Sequence, residues 1–264
     1  MVTGRPEYSG SFLDKIVEGL LVLLPPAALL GPWAGSGRVF GYRILVVLLV
    51  GCAVTGWIYP IWVRRFSRAA CAIVVVAVAW AVTGVVGAMR LGPRRDLSSL
   101  MGAGLALAGA WSVARLISDR HIRRERALRD VAIGWAVAVW VGAPLAVWEI
   151  LTARHLGTYA DGAWRNHPGL YRQPATWLTN PNLYAVFLAV GSVWVGVVGV
   201  RSATRWVRIA AIATAVTGLG LLLATDSRIV YAALLLAVMV RLWALRRWRW
   251  VLPGVVMAVV VVIV

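Results

Sequence analysis

The sequence is poor in charged residues. Only 14% of its 264 residues are charged, whereas a soluble domain of ordinary composition carries about 25%. Hydrophobic residues make up 61% of the chain, and its mean hydropathy is +0.81. So few charges cannot cover the surface of a soluble protein of this length. The composition therefore excludes a soluble or disordered protein and predicts a chain whose solvent is lipid.

The sequence also lacks lysine, since Lys15 is the only one among 27 basic residues. The net charge of +17 is spread over short breaks between apolar runs and is not gathered on one face or in one tail, so no nucleic-acid partner is expected. The most basic stretch, residues 118–130, is interpreted as a cytoplasmic anchor that anionic membrane lipid attracts. The arginine bias, with abundant alanine, valine and glycine, indicates a high-GC bacterial genome.

Cysteine is nearly absent as well. Cys52 and Cys71 both lie inside apolar runs, where a packed thiol is the simplest interpretation. Two such residues provide neither a disulfide framework nor the ligand spacing of a metal site. No metal site is predicted.

Long apolar runs dominate what remains. A membrane-spanning helix needs about 20 mostly apolar residues. The runs predict an all-α fold, a polytopic integral membrane helix bundle that forms a single transmembrane domain over residues 1–264. Its N-terminus is expected to be retained as a true first helix, not removed as a signal peptide. Eight full spans and a ninth, truncated one are predicted at residues 16–34, 44–63, 69–89, 97–117, 131–151, 182–200, 209–225, 228–245 and 251–264.

The orientation follows from the distribution of basic residues, which are enriched on the cytoplasmic side of membrane proteins. With the N-terminus inside, 18 of the 27 basic residues fall in cytoplasmic segments and 9 in outer ones. This asymmetry predicts a cytoplasmic N-terminus. It also places the longest connection, residues 152–181, on the outer face of the membrane.

Two polar motifs interrupt the apolar runs on that face. The first is Asn180-Pro181-Asn182, which closes the long outer loop; asparagine before proline is typical of a turn, and the Asn182 side chain is expected to cap the next helix. A turn with a helix cap is also the purely structural interpretation of both asparagines. Arg172 lies a few residues upstream in the same loop.

The second motif is Thr225-Asp226-Ser227-Arg228, placed between two spans with almost no loop. An arginine this close to lipid is costly and persists when it has a partner or a function. A local ion pair between Asp226 and Arg228 is one explanation. Anion binding is the other, because the guanidinium fits phosphate oxygens bidentately and a helix N-terminus adds free N–H groups.

Three segments carry a resemblance to a known family: Trp148–Tyr159, residues 172–190 and residues 220–238. They show an acidic-aromatic start followed by His-Leu, an Asn-Pro-Asn turn that opens a helix, and Thr-x-Ser-Arg. In this order they resemble the O-antigen ligase and polysaccharide polymerase-like family, nearest to its Gram-positive, teichuronic-acid-polymerase-like branch. Leu178 stands where that family usually has phenylalanine.

The resemblance implies an integral membrane enzyme that works on the outer face without a metal or other cofactor. It would pass a glycan from an undecaprenyl-diphosphate carrier to an acceptor in cell-envelope polysaccharide biosynthesis. Arg228 and Arg172 would bind the carrier diphosphate. The supporting residues would be Asn180, Asn182, Asp226 and Ser227.

No residue is assigned as the catalytic base. His155 and His167 lie on the expected side, although His155 belongs to the His-Leu motif and is interpreted as a loop-packing position. The family's later outer loop has no counterpart in the 264 residues, so a C-terminally truncated chain without turnover of its own is expected. Two other interpretations stay open: a polysaccharide or lipid transporter or flippase, and a non-catalytic remnant of a polymerase. In each case the expected location is the cell membrane of a high-GC Gram-positive bacterium.

Overall fold

The structure, a computed structural model, is helical apart from one short ribbon. It describes residues 12–30, 35–36, 39–58, 104–105, 107–114, 124–155, 172–178 and 180–244. The helices are α1 (Phe12–Leu30), α2 (Gly41–Ile58), α3 (Arg124–Thr152), α4 (Pro181–Gly199), α5 (Arg205–Ala224) and α6 (Arg228–Ala244), and residues 107–114 are also helical. The two-residue strands β1 (Gly35–Ser36) and β2 (Val39–Phe40) pair antiparallel, and Thr176–Leu178 forms a 3-10 turn.

The prediction of an all-α fold is confirmed for the described part of the chain, the short ribbon apart. Helices α1, α2, α4, α5 and α6 lie at or within a few residues of predicted spans. Helix α3 starts earlier than predicted, at Arg124 rather than at 131. The predicted spans 69–89 and 251–264 lie outside the described residues, and 97–117 is described only at 104–105 and 107–114.

Three of the described helices are long and apolar enough to cross a membrane: Glu125–Thr152 within α3, Pro181–Gly199 and Arg205–Ala224. Helix α5 carries a stripe of large apolar side chains that recur every three or four residues and are 41–70% exposed. Such an apolar stripe costs free energy in water and costs none against acyl chains. These helices indicate a membrane protein. The exposed stripe consists of Ile209, Ile212, Val216, Leu219 and Leu223.

The chain divides into two compact units, with the boundary after Gly134. In the first unit, α1 packs against α2 and the first third of α3. Pro26 lacks the N–H that would bond to the carbonyl of Val22 within α1, and Gly134 packs directly against that carbonyl, where any Cβ would collide with it. An ion pair from Arg126 Nη1 to Glu18 Oε1, 3.2 Å long, also joins α3 and α1.

The second unit is built on the close α4–α5 hairpin. Gly199 packs against Ala211, and Gly218 against Ser192, at points where neither glycine has room for a Cβ. The α3 side chain of Trp140 donates a hydrogen bond from Nε1 to Thr214 Oγ1 of α5, at 2.9 Å. Small residues therefore bring the backbones together, as is typical of helix contacts in membranes.

Candidate functional site

The predicted site residues that the structure describes lie at one end of the second unit. Helix α3 ends there, the segment 172–178 lies there, α5 ends there, and α4 and α6 begin there. Hydrogen bonds from the segment to α3 and between the first turns of α4 and α6 establish the placement. We call this place the Arg228 end.

The Asn-Pro-Asn motif forms the start of α4. Asn180 is the N-cap, in extended conformation, and its Oδ1 accepts from the N–H groups of Asn182 at 2.8 Å and Leu183 at 3.4 Å. The prediction that Asn182 is the cap is therefore wrong. Pro181 takes the first helical position, where its fixed φ fits and its missing N–H costs nothing, so the cap falls one residue before the proline.

The Asn182 side chain is thereby available for a longer-range contact. Its Oδ1 accepts a hydrogen bond from Ser227 Oγ at 2.8 Å. The bond joins residues 45 positions apart and ties the start of α4 to the start of α6. Two polar motifs that are separate in the sequence thus form one structural unit.

A compact turn between α5 and α6 presents Arg228. Thr225 Oγ1 donates to the carbonyl of Leu222 at 2.6 Å, and the hydroxyl of Tyr231, one turn into α6, reaches the same carbonyl at 3.1 Å. Asp226 adopts a left-handed conformation, with φ of 51°, which aspartate tolerates better than most residues. The chain therefore reverses over three residues and places Arg228 at the first position of α6.

The Arg228 side chain is exposed and carries an uncompensated charge within the described part of the chain. It forms no ion pair with Asp226, although both side chains are described, and no other described carboxylate lies within 4.0 Å of it. The local ion pair that the sequence left open is not formed. Arg228 is thus an exposed cation at the first position of α6, and the N-terminus of a helix itself attracts anions.

Arg172 is also exposed and begins the segment 172–178. That segment is held by Glu149, near the end of α3, whose Oε2 accepts from the N–H groups of Ala175 and Thr176, both at 2.8 Å. Glu149 is completely buried. The 3-10 turn that follows packs against α4.

A polar cluster surrounds Glu149. The side chain of His155 is 7% exposed, and its Nδ1 lies 3.2 Å from Glu149 Oε1. Tyr184 of α4 is also buried, at 1% exposure. The hydroxyls of Tyr184 and Thr176 are buried and have no hydrogen-bond partner among the described residues.

The His155 side chain is thus largely buried, whereas His167 lies outside the described residues. Glu149 belongs to the Trp148–Tyr159 motif, but no role was predicted for it. It could have been identified as the one carboxylate inside an otherwise apolar span, since ionisable residues in membrane segments usually have a specific function. In the part of the chain that the structure describes, no three His, Cys, Asp or Glu side chains are grouped to hold a metal ion.

Comparison with known proteins adds no relative. Scans against models of protein families, curated proteins and solved structures each found no match to this chain.

Proposed function

We propose that the protein takes part in glycosyl transfer on the outer face of the cell membrane, from an undecaprenyl-diphosphate carrier to an acceptor hydroxyl in envelope polysaccharide synthesis. The observation that carries the proposal is the position of Arg228. It is an exposed arginine without an ion-pair partner among the described residues, at the first position of a helix that follows a membrane-length apolar helix. The ordered motifs of the sequence support the same assignment.

The chemistry explains why arginine is needed there. The acceptor oxygen forms a bond to the anomeric carbon while the bond from that carbon to the diphosphate oxygen breaks, and the diphosphate leaves with the electron pair. The acceptor loses its proton to a base that this proposal leaves unassigned. Negative charge therefore grows on the diphosphate, and a guanidinium fixed at that point stabilises the transition state more than the bound substrate.

The arrangement of charges supports an outer-face site in a multi-pass protein. The excess of arginine in alternate connections favours an orientation with the Arg228 end outside, where lipid-linked glycans are displayed. Arg205 and Arg208 lie at the opposite end of α5, and the rest of α4 and α5 carries no Asp, Glu, His, Lys or Arg. A transporter that moves charge through these two helices would need ionisable groups near their middle.

The experiment is transfer from purified undecaprenyl-diphosphate-linked oligosaccharide by the full-length gene product, with release of undecaprenyl diphosphate as the readout. Arg228→Ala should lower the rate by about 10²–10³, as the loss of one transition-state donor does. Arg228→Lys should fail nearly as badly, because an ammonium does not reproduce the bidentate fork.

The matched control is Arg201→Ala, which removes an exposed arginine from the opposite end of the α4–α5 hairpin and should leave the rate unchanged. A near-normal transfer rate for Arg228→Ala, with protein level and folding verified, would contradict the assignment of Arg228 to the diphosphate site. Absence of transfer by the wild-type full-length protein would contradict the function itself.

A further inference from the structure

The buried carboxylate of Glu149 has an arrangement that packing alone does not require. It lies three residues before the end of α3, is 0% exposed, and binds backbone N–H groups that are 26 and 27 residues away in the sequence. Its Oε1 lies 3.2 Å from His155 Nδ1 but accepts no hydrogen bond from a described residue, so the two N–H groups on Oε2 supply its hydrogen bonds. Burying a carboxylate is costly unless it is bound in this way.

The segment that Glu149 binds needs an external acceptor. Ala175 and Thr176 are completely buried, and a buried N–H without an acceptor costs as much as a lost hydrogen bond. Thr176 is also in a left-handed conformation, with φ of 53°, which is unusual for a β-branched residue and persists when the surroundings enforce it. The two hydrogen bonds to Glu149 supply that enforcement.

Arg172 depends on the same anchor. Its Cα lies three residues from that of Ala175, which limits their separation to about 11 Å. The Arg172 side chain forms no hydrogen bond or ion pair with another described residue. Whatever fixes the backbone at Ala175 and Thr176 therefore restricts where the Arg172 guanidinium can lie.

We propose that Glu149 is a positioning residue, which anchors the segment 172–178 to the end of α3 and thereby holds Arg172 at the Arg228 end. His155 lies beside the carboxylate, with its Nδ1 3.2 Å from Oε1. The effect on catalysis rests on the proposed function, in which Arg172 assists Arg228 at the carrier diphosphate. The anchoring itself is a property of this chain and has its own measurement.

The first measurement is hydrogen exchange at the amides of Ala175 and Thr176 in the purified chain. Glu149→Ala should remove their protection, whereas Glu149→Gln should retain much of it because an amide oxygen still accepts both bonds. Glu18→Ala is the control, since it removes a carboxylate that pairs with Arg126 in the other unit. Unchanged exchange in a folded Glu149→Ala variant would overturn the anchor. If that variant does not fold, Glu149→Leu, which fills a similar volume without an acceptor oxygen, replaces it: lost protection at Ala175 and Thr176 supports the anchor, and retained protection overturns it.

The second measurement is a double-mutant cycle on the transfer rate of the full-length protein. Glu149→Ala should slow transfer about tenfold when Arg172 is present and have little further effect when Arg172 is already alanine, because residues that act through one another are not additive. Equal factors in both backgrounds would show a general structural role and overturn the positioning.

The two measurements separate this proposal from the proposed function. No transfer by the wild type, together with lost protection in Glu149→Ala, would contradict the glycosyl transfer and leave the anchor supported. Normal wild-type transfer with an additive cycle would contradict the positioning and leave the glycosyl transfer supported.

Discussion

The packing of α3 against α4 can be tested with one methyl group at Gly191. A Cβ built on Gly191 would lie 2.6 Å from Cε3 of Trp135 and 3.2 Å from two other atoms of the same ring. These separations are shorter than carbon atoms accept, and Trp135 has little room to move, because its ring contacts Phe187 with centroids 4.5 Å apart. Gly191→Ala should therefore push α3 and α4 apart locally.

The loss of unfolding free energy in Gly191→Ala is best measured as a difference from a control variant, Gly220→Ala. Gly220 lies within α5, and a Cβ there would meet nothing within 4 Å. Replacing either glycine by alanine changes the intrinsic preference for helix by about the same amount, up to ~1 kcal/mol, so this contribution cancels between the two variants. What remains is overpacking at Gly191, which costs about 1–3 kcal/mol.

The assay is unfolding of the purified protein in mixed micelles by increasing amounts of SDS. The free energy of unfolding of Gly191→Ala should be lower than that of Gly220→Ala by about 1–3 kcal/mol. Equal stabilities for the two variants would refute the close contact between Gly191 and Trp135, and with it the packing of α3 on α4.

Two further predictions concern the Arg228 end. Asn182→Ala and Ser227→Ala should each lower the free energy of unfolding by about 1 kcal/mol. The double variant should lose little more than either single variant, since both substitutions remove the same hydrogen bond. Fully additive losses in an unfolding titration would contradict the contact. In a cysteine-free background, a cysteine at position 162 should react with a membrane-impermeant reagent added to intact cells. One at the exposed Ala203 should not, because the basic-residue asymmetry predicts opposite sides for the two positions. The reverse labelling would overturn the topology.

The helices were largely predictable from the sequence because long apolar runs have few alternatives in lipid. Helix α4 begins one residue before the predicted span, since Asn180 and Pro181 mark its start by local chemistry alone. The early start of α3 was missed for a physical reason. Residues 124–130 are mostly charged or polar but favour helix, so an apolar-run criterion ends the span where the hydrophobicity ends and not where the helix does.

The candidate site was predictable in its exposed residues and not in its contacts. Arg228 and Arg172 stand out in the sequence because charge is rare in this chain. The partners of Glu149 are backbone N–H groups, which every residue except proline carries, so no pattern marks Ala175 and Thr176 as donors. The Asn182–Ser227 hydrogen bond was not predicted, because the turn and helix-cap interpretation of each motif already accounted for its polar residues.

The most direct test of the account is binding of undecaprenyl diphosphate to the purified chain, measured by native mass spectrometry against undecaprenyl monophosphate. We expect the wild-type chain to prefer the diphosphate. Arg228→Ala should weaken diphosphate binding by about tenfold or more, which corresponds to the loss of one charge-assisted hydrogen bond, and Arg201→Ala should not weaken it. Equal affinity of the wild type and Arg228→Ala for undecaprenyl diphosphate would contradict the central claim that Arg228 binds the carrier.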